Sequence, residues 1–302
     1  MKRVLLTGAT GFIGRHCLKP LLAAGYEVHT VSSRTLQDVP ATVVAHQADL
    51  LDPSQVVSVM KRVQPSHLLH LAWYAQPGLF WTSPENLRWV QASLQLVMQF
   101  VANGGQRVVM AGTCAEYDWD HGYCTEGITP LNPHTLYGKA KHACQQLVEA
   151  YAQQAQISSA WGRIFFAYGP HEYQQRLVAS VITSLLQGQV ARCSHGLQLR
   201  DFLYVQDTAD AFVALLDSAV EGAVNIASGQ PIQLRSVIES IATKLMRPEL
   251  IALGALAAPA HEPPLLVGNV SRLAQEVGWQ PAYTLDQGLE ATIAWWRQEL
   301  AA

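Results

Sequence analysis

From its first residues the chain alternates short apolar runs with longer segments in which apolar residues return every three or four positions. The short runs are Val4 to Leu6, Glu27 to Val31, Thr42 to Ala45, His67 to Leu71 and Arg107 to Met110. Runs of this length read as strands and the periodic segments between them as crossover helices. The alternation therefore predicts βαβ units and a parallel sheet with helices on both faces, and right-handed crossovers leave few topologies. Two long helices stand out, Pro84 to Ala102 and Leu136 to Gln153. Their apolar positions extend around more of the circumference than one buried stripe needs, which predicts a homodimer through this pair. After about residue 170 the alternation loosens into shorter segments broken by Gly and Pro, including the Pro-rich stretch 257–264. The expected division is a main domain over 1–169 and a smaller lobe over 170–302, with 223–249 returning to the main domain through the strand Ala223 to Ile226.

Composition narrows the partners. Of 302 residues, 49% are hydrophobic and 14% charged, so a long disordered stretch is not expected. The net charge of -3 and the scattered histidines offer no basic field, which argues against nucleic acid. Cys17, Cys114, Cys124, Cys144 and Cys193 are odd in number and form no CxxC pair, so neither a disulfide framework nor a metal site is expected. No signal-peptide pattern opens the chain and no apolar stretch is long enough to span a bilayer, so the expected location is cytoplasmic, without a membrane partner.

Residues 7–14 read Thr-Gly-Ala-Thr-Gly-Phe-Ile-Gly, which sets Gly8, Gly11 and Gly14 between a strand and a helix. Glycines there permit a tight turn, close approach of backbone N–H groups to a pyrophosphate, and close helix packing, while the helix N-terminus favours the anion. This predicts a Rossmann-type, doubly wound α/β domain that binds a nicotinamide dinucleotide. An acidic residue at the end of the second strand would select NAD; Ser32, Ser33 and Arg34 stand there instead. A guanidinium can hold a 2′-phosphate, so NADP(H) is the expected cofactor, with NAD(H) the alternative and a solvated Arg34 the competing reading. Asp49, after the third strand, either accepts from the adenine amino group or caps the helix at Pro53. Thr10, Phe12 and Ile13 in the glycine loop, Leu50, and Leu71 with Ala72 complete the expected cofactor site.

Tyr137 and Lys141 are four residues apart on the second long helix, hence on one face. A nearby ammonium would lower the Tyr pKa toward the range needed for acid/base work at a carbinol. Thr113, at the C-terminal end of the strand from Arg107, supplies a third group where open α/β sheets place their ligands.

With His70-Leu71-Ala72, Tyr117, Arg200-Asp201-Phe202, Gly278-Trp279-x-Pro281 and Gly288-Leu289, these motifs make the chain resemble, over almost its whole length, the extended short-chain dehydrogenase/reductases that modify nucleotide sugars. The resemblance implies that Tyr137 is the general acid/base, that Lys141 binds the nicotinamide ribose and lowers the Tyr pKa, and that Thr113 hydrogen-bonds the reacting sugar oxygen. It implies a nucleotide-diphosphate sugar as substrate, with Arg200 holding the diphosphate. The sugar 4,6-dehydratases of that family resemble one another in an Asp-Glu pair directly after this Thr; here Cys114 and Ala115 stand there, and Glu116, beside Tyr117, is expected to point elsewhere. Phe166 and Trp89 replace family Asn residues, which implies a rearranged sugar pocket.

Trp73 and Tyr74, and less so Phe80 and Trp81, are candidates to line the sugar cleft, with core packing the competing use. Arg176 and Arg192 are candidate cations that could equally be surface charges, and Asp201 and Asp207 are expected to organise their loops. The reading is thus an NADPH-dependent reductase of a keto group, at C4, of a nucleotide-linked deoxy-sugar. The alternatives are a 4-epimerase that cycles a tightly held dinucleotide and a non-catalytic dinucleotide-binding protein.

Overall fold

The apolar runs become seven parallel strands of one sheet: β1 (Arg3–Thr7), β2 (Glu27–Ser32), β3 (Val44–Gln47), β4 (His67–His70), β5 (Arg107–Thr113), β6 (Ser158–Ile164) and β7 (Gly222–Ile226), in the order β7-β6-β5-β4-β1-β2-β3. The computed structural model describes residues 2–34, 39–258 and 262–301; residues 259–261 of the Pro-rich stretch lie outside the described residues. The helices are α1 (Gly14–Ala23), α2 (Pro53–Val63), α3 (Glu85–Ala102), α4 (Leu136–Gln154), α5 (Leu177–Leu186), α6 (Val205–Asp217), α7 (Leu234–Leu245), α8 (Ser271–Gln275) and α9 (Leu285–Glu299).

The pleat sorts the sheet's side chains. Val4 and Leu6 pack with Cys17, Leu18 and Leu21 of α1 and with Phe212 of α6, while Leu5, Leu68 and Val108 pack on the other face with Val59 and Met60 of α2, Phe100 of α3 and Val148 of α4. Strand order reverses beside β1, between β4 and β2, which opens a crevice at the C-terminal ends of β1 and β4. Two boundaries differ from the sequence pattern. β3 starts at Val44 because a turn from Pro40, closed by Val43 N–H to the Pro40 carbonyl at 2.9 Å, takes up the residues before it. β5 continues through Ala111, Gly112 and Thr113, which pair with Gly162, Arg163 and Ile164.

A second core lies among α5, α7 and α9, with Ile182, Ile238, Ile241, Leu289 and Ile293 at its centre. Nearby, strands over 231–233, 199–204, 265–268 and 123–124, with 166–168 also paired to 199–204, form a smaller sheet. The chain crosses between the cores at other places than the expected boundaries at 170, 223 and 249. The strand 222–226 sits at the edge of the main sheet, but α7 packs in the lobe, and α6 packs beneath the main sheet. Among the described residues no helix is long and apolar enough to cross a membrane, and no group of three His, Cys, Asp or Glu side chains could hold a metal.

Just before α5, Glu172 is buried, and its Oε2 has no hydrogen-bond partner. Burial pushes its carboxyl up to about 8. The folded chain therefore keeps a proton that the unfolded chain loses above the ordinary carboxylate range, so stability is fully present below that range and falls as pH rises through about 8. Wild type is expected to lose on the order of 4 kcal/mol between about pH 5 and pH 9 relative to Glu172→Gln, measured by urea unfolding. Parallel pH profiles for the two proteins would refute this.

Candidate active site

The glycine loop shapes the crevice at the end of β1. Gly8 has φ +74°, and a Cβ there would lie 2.8 Å from the Ala72 nitrogen. A Cβ on Gly14 would collide with the Gly8 carbonyl, so α1 can start this close to the loop only with glycine. Gly11 N–H donates to that carbonyl at 2.8 Å. The first turn of α1 has no side-chain cap and no acidic residue, so its helix dipole favours an anion there, while the Arg15 and His16 N–H groups already donate to the Gly11 and Ile13 carbonyls. Thr10 and Gly11 are exposed, and half-buried Phe12 and Ile13 reach the lobe core. A glycine cradle ending in an uncapped helix fits a dinucleotide pyrophosphate.

The Thr7 hydroxyl accepts from Leu71 N–H at 3.2 Å and Ala72 N–H at 3.1 Å. Its own hydrogen then goes to His70 Nδ1 at 2.7 Å, which leaves Nε2–H to donate to Ser93 at 2.9 Å. Burial holds His70 down to about 3, so it is a neutral packed residue that helps fix Leu71 and Ala72 against Gly8. Sequence reasoning missed Arg15, whose guanidinium folds back to donate to the Thr10 carbonyl at 2.9 Å and the Gly11 carbonyl at 3.3 Å. A cation directly after the last glycine was the available signal.

At the C-terminal end of β2 Ser32 is half-buried, Ser33 and Arg34 are exposed, and Arg34 N–H donates to Ser32 Oγ at 3.1 Å. Exposed Asp49 accepts from Leu51 N–H at 2.9 Å, while Leu50 is buried. The α2 cap is Asp52, which accepts from Ser54 N–H at 2.9 Å; the capping alternative for Asp49 does not hold.

Thr113 closes β5 and caps a single turn, Cys114–Glu116, accepting from Ala115 N–H at 3.2 Å. Thr135 caps α4 by accepting from Gly138 N–H at 3.1 Å. A Cβ on Gly138 would lie 2.8 Å from Pro133 Cβ and collide with the Ala115 carbonyl, so this glycine lets α4 begin against the Thr113 turn. Tyr137 thereby comes beside Thr113, whose hydroxyl partly offsets the effect of burial on the phenol. The Phe80 ring lies edge-on to Tyr137 at 4.8 Å, Trp81 at 5.8 Å, and Tyr137 N–H donates to the Trp81 carbonyl at 3.1 Å. These two aromatics, ranked below Trp73 and Tyr74 in the sequence, are the ones that touch Tyr137.

Lys141 is buried, and burial pulls its ammonium down to about 8. It donates to the Ala111 carbonyl at 2.9 Å and lies 3.7 Å from the centroid of the Trp73 ring. The expectation that Lys141 draws the Tyr137 pKa down needs correction for this state. Burial raises the phenol, and the opposing contributions come from the Thr113 hydroxyl and the Arg176 guanidinium.

Glu116 points into the core, fully buried. Its carboxylate accepts from Arg163 Nε at 2.7 Å, from Trp161 Nε1 at 2.9 Å and from Thr113 N–H at 2.8 Å. Arg163 in turn donates to Tyr117 at 3.1 Å and to Gln145 of α4 at 2.7 Å, and Tyr117 donates to Asn225 of β7 at 2.8 Å. One network thus ties the turn after Thr113 to β6, β7 and the helix that carries Tyr137.

On the substrate side, Cys114 is buried, and burial raises its thiol pKa. Half-buried Phe166 faces the Arg200 guanidinium at 5.5 Å. Arg200 is buried, donating to Glu262 at 2.8 Å and to the Leu199 carbonyl at 2.8 Å, so a diphosphate would have to displace a carboxylate to reach it. Arg176 is exposed at the start of α5. Arg192 is exposed and donates to the Ala255 carbonyl at 3.3 Å, and Tyr74 donates to Gln76 at 3.3 Å; neither contact reaches the Thr113 and Tyr137 pair. Asp201 accepts from the Ser228, Gly229 and Gly268 N–H groups, and Asp207 from those of Ala282 and Tyr283; both organise loops.

The model of the NAD dependent epimerase/dehydratase family matches residues 4–227. UDP-glucuronic acid decarboxylase 1 of Xenopus tropicalis is 26% identical over 99% of this chain and 73% of that protein. GDP-6-deoxy-D-mannose reductase of Pseudomonas aeruginosa is 27% identical over 99% of this chain and 98% of that one. Among solved structures, MoeE5 in complex with UDP-glucuronic acid and NAD is 30% identical, with a TM-score of 0.86 over 98% of this chain and 99% of that chain.

Proposed function

Because the chain belongs to the NAD-dependent epimerase/dehydratase family, we propose that it is an NADPH-dependent reductase of a keto group at C4 of a nucleotide-linked deoxy-sugar. The observation that carries this reading is the convergence of Thr113 and Tyr137 at the end of β5, beside a turn that offers no free carboxylate. Cys114 and Ala115 bring a thiol and a methyl, and Glu116 is held inward by Arg163, so water elimination from the sugar has no acid/base pair in that turn. Chemistry there stops at hydride exchange with the carbon. When bound, the nicotinamide supplies the hydride; Tyr137 donates the proton to the sugar oxygen, Thr113 orients that oxygen, and Lys141 holds the ribose. Exposed Arg176, at the start of α5, is the freer cation for the diphosphate, ahead of Arg200, which is paired with Glu262.

The test is stoichiometric NADPH consumption with 4-keto-6-deoxy-sugars linked to dTDP, UDP, GDP or CDP, after thermal shift has identified the nucleotide, since a ligand that binds only the native state raises its apparent stability. Oxidation of one NADPH per sugar supports the reading. A second reading, a 4-epimerase, is favoured by the NAD held beside a UDP-sugar in MoeE5, because a self-contained epimerase cycles its dinucleotide; it predicts product without net NADPH loss.

For the cofactor, Arg34→Ala is expected to weaken NADPH about tenfold and NADH little, by fluorescence titration. Equal losses would sink the NADP(H) preference. A homodimer through α3 and α4 is proposed on the exposure of Leu87, Met98 and Leu147. Light scattering at micromolar concentration should give twice the chain mass, and Leu87→Glu with Leu147→Glu should give a monomer; a monomeric wild type refutes it.

A further inference from the structure

The Lys141 ammonium has an unusual setting for a buried cation. No carboxylate lies within salt-bridge distance of it among the described residues; its direct partners are the Ala111 carbonyl at 2.9 Å and the face of the Trp73 indole at 3.7 Å, with the Trp161 ring further away at 5.9 Å. A desolvated ammonium over an indole is held by the ring quadrupole, and the direction of that attraction is along the ring normal. Trp73 was a candidate sugar-facing aromatic in the sequence; its face is instead spent on the lysine.

The indole is itself latched. Its Nε1–H donates to Asn86 Oδ1 at 2.9 Å, and Asn86, fully buried in the first turn of α3, donates its amide hydrogens to the Phe80 carbonyl at 2.7 Å and the Ser83 carbonyl at 2.9 Å. Both amide hydrogens and the amide oxygen are engaged, which fixes the orientation of the group. The loop it holds carries Phe80 and Trp81, whose rings lie on Tyr137. A single amide thus joins the residue over Lys141 to the loop over Tyr137.

We propose that Trp73 is a positioning residue for Lys141, its indole face aiming the ammonium at the cofactor ribose, and that Asn86 latches this indole and couples it to the aromatic loop over Tyr137. The proposal rests on the reading of Lys141 as the group that holds the nicotinamide ribose. Other titratable groups facing Lys141 are His70 from β4, Cys144 from its own helix and Glu116 from the turn after β5. His70 is pulled down to about 3, Cys144 pushed up to about 11, and Glu116 is paired with Arg163, which leaves the lysine itself, at about 8, to titrate near neutral pH.

The experiment is titration of the full-length protein with NADH and NADPH, followed by tryptophan-to-nicotinamide energy transfer, from about pH 6 to about pH 10. Both cofactors are used because the 2′-phosphate of NADPH has its own ionisation near pH 6. Wild type should lose affinity for both as pH rises through about 8. Trp73→Leu should weaken binding about tenfold at neutral pH and move this limb down by about one unit, whereas Trp73→Phe, which keeps an aromatic face, should restore most of the limb. Asn86→Ala should reproduce part of the Trp73→Leu shift and add nothing to Trp73→Phe, which has already lost the indole N–H. Circular dichroism and urea unfolding check that each variant folds. Lys141→Met separates the two layers of the argument. If Lys141→Met flattens the limb but Trp73→Leu leaves it where wild type has it, the positioning role is wrong and the lysine reading stands. If Lys141→Met binds both cofactors with the wild-type profile, the lysine reading fails and the proposal with it.

Discussion

Tyr137→Phe is expected to lower turnover by about 10²–10⁴-fold while leaving NADPH affinity within about twofold of wild type. The ring keeps its contacts with Phe80 and Trp81, and its backbone N–H keeps the Trp81 carbonyl; only the hydroxyl beside Thr113 is lost. Burial raises that phenol, so in the resting protein it holds its proton, the state an acid for ketone reduction requires. Thr113→Ala should act on the same step, with a smaller loss in kcat than in the Tyr137 variant, since it removes one orienting hydrogen bond. Lys141→Met should raise the NADPH dissociation constant and lower turnover together. Near-normal turnover in Tyr137→Phe with the true substrate would overturn the catalytic assignment and favour a dinucleotide-binding protein without chemistry.

The largest stability effect is expected at Glu116. Its carboxylate is fully buried against Arg163, itself buried, and it also receives Trp161 Nε1–H and Thr113 N–H. Removing one partner of such a pair leaves the other charge uncompensated, so Glu116→Ala is expected to cost about 3–5 kcal/mol. Against a total stability of about 5–15 kcal/mol this lowers Tm by on the order of 10 °C. Turnover should fall as well, because the Thr113 turn loses one half of its capping box. Glu116→Gln keeps acceptor oxygen but not charge and should cost less. A loss under about 1 kcal/mol in Glu116→Ala, by urea or thermal unfolding, would show that the network is not what holds the turn.

The sheet was legible because strands buried on both faces appear as apolar runs, and the cofactor crevice because glycines at 8 and 14 are required by close backbone approach. β5 was read short because Ala111, Gly112 and Thr113 carry no apolar signal, although they pair through to Ile164. The allocation of α6 and α7 was hidden for a different reason. Each has an apolar face, and periodicity tells which face is buried but not which core buries it. Partners far apart in the chain were equally invisible: Glu116 was read as turned away from the sugar, but nothing local named Arg163 as its destination. In the same way Arg200 looked like a free diphosphate cation until Glu262 came beside it, and Trp73 looked like a sugar platform until its face met Lys141.

The central claim is hydride exchange at a sugar carbon without loss of water, and isotope transfer tests it most directly. NADPH deuterated at the transferring position of the nicotinamide C4 would be incubated with the protein and a nucleotide-linked 4-keto-6-deoxy-sugar, and the product analysed by mass spectrometry and NMR. The account predicts a product heavier by one deuterium and one proton, the deuterium on the sugar C4, with one NADP formed per sugar. An unlabelled C4, or a product that has lost the elements of water, would contradict it.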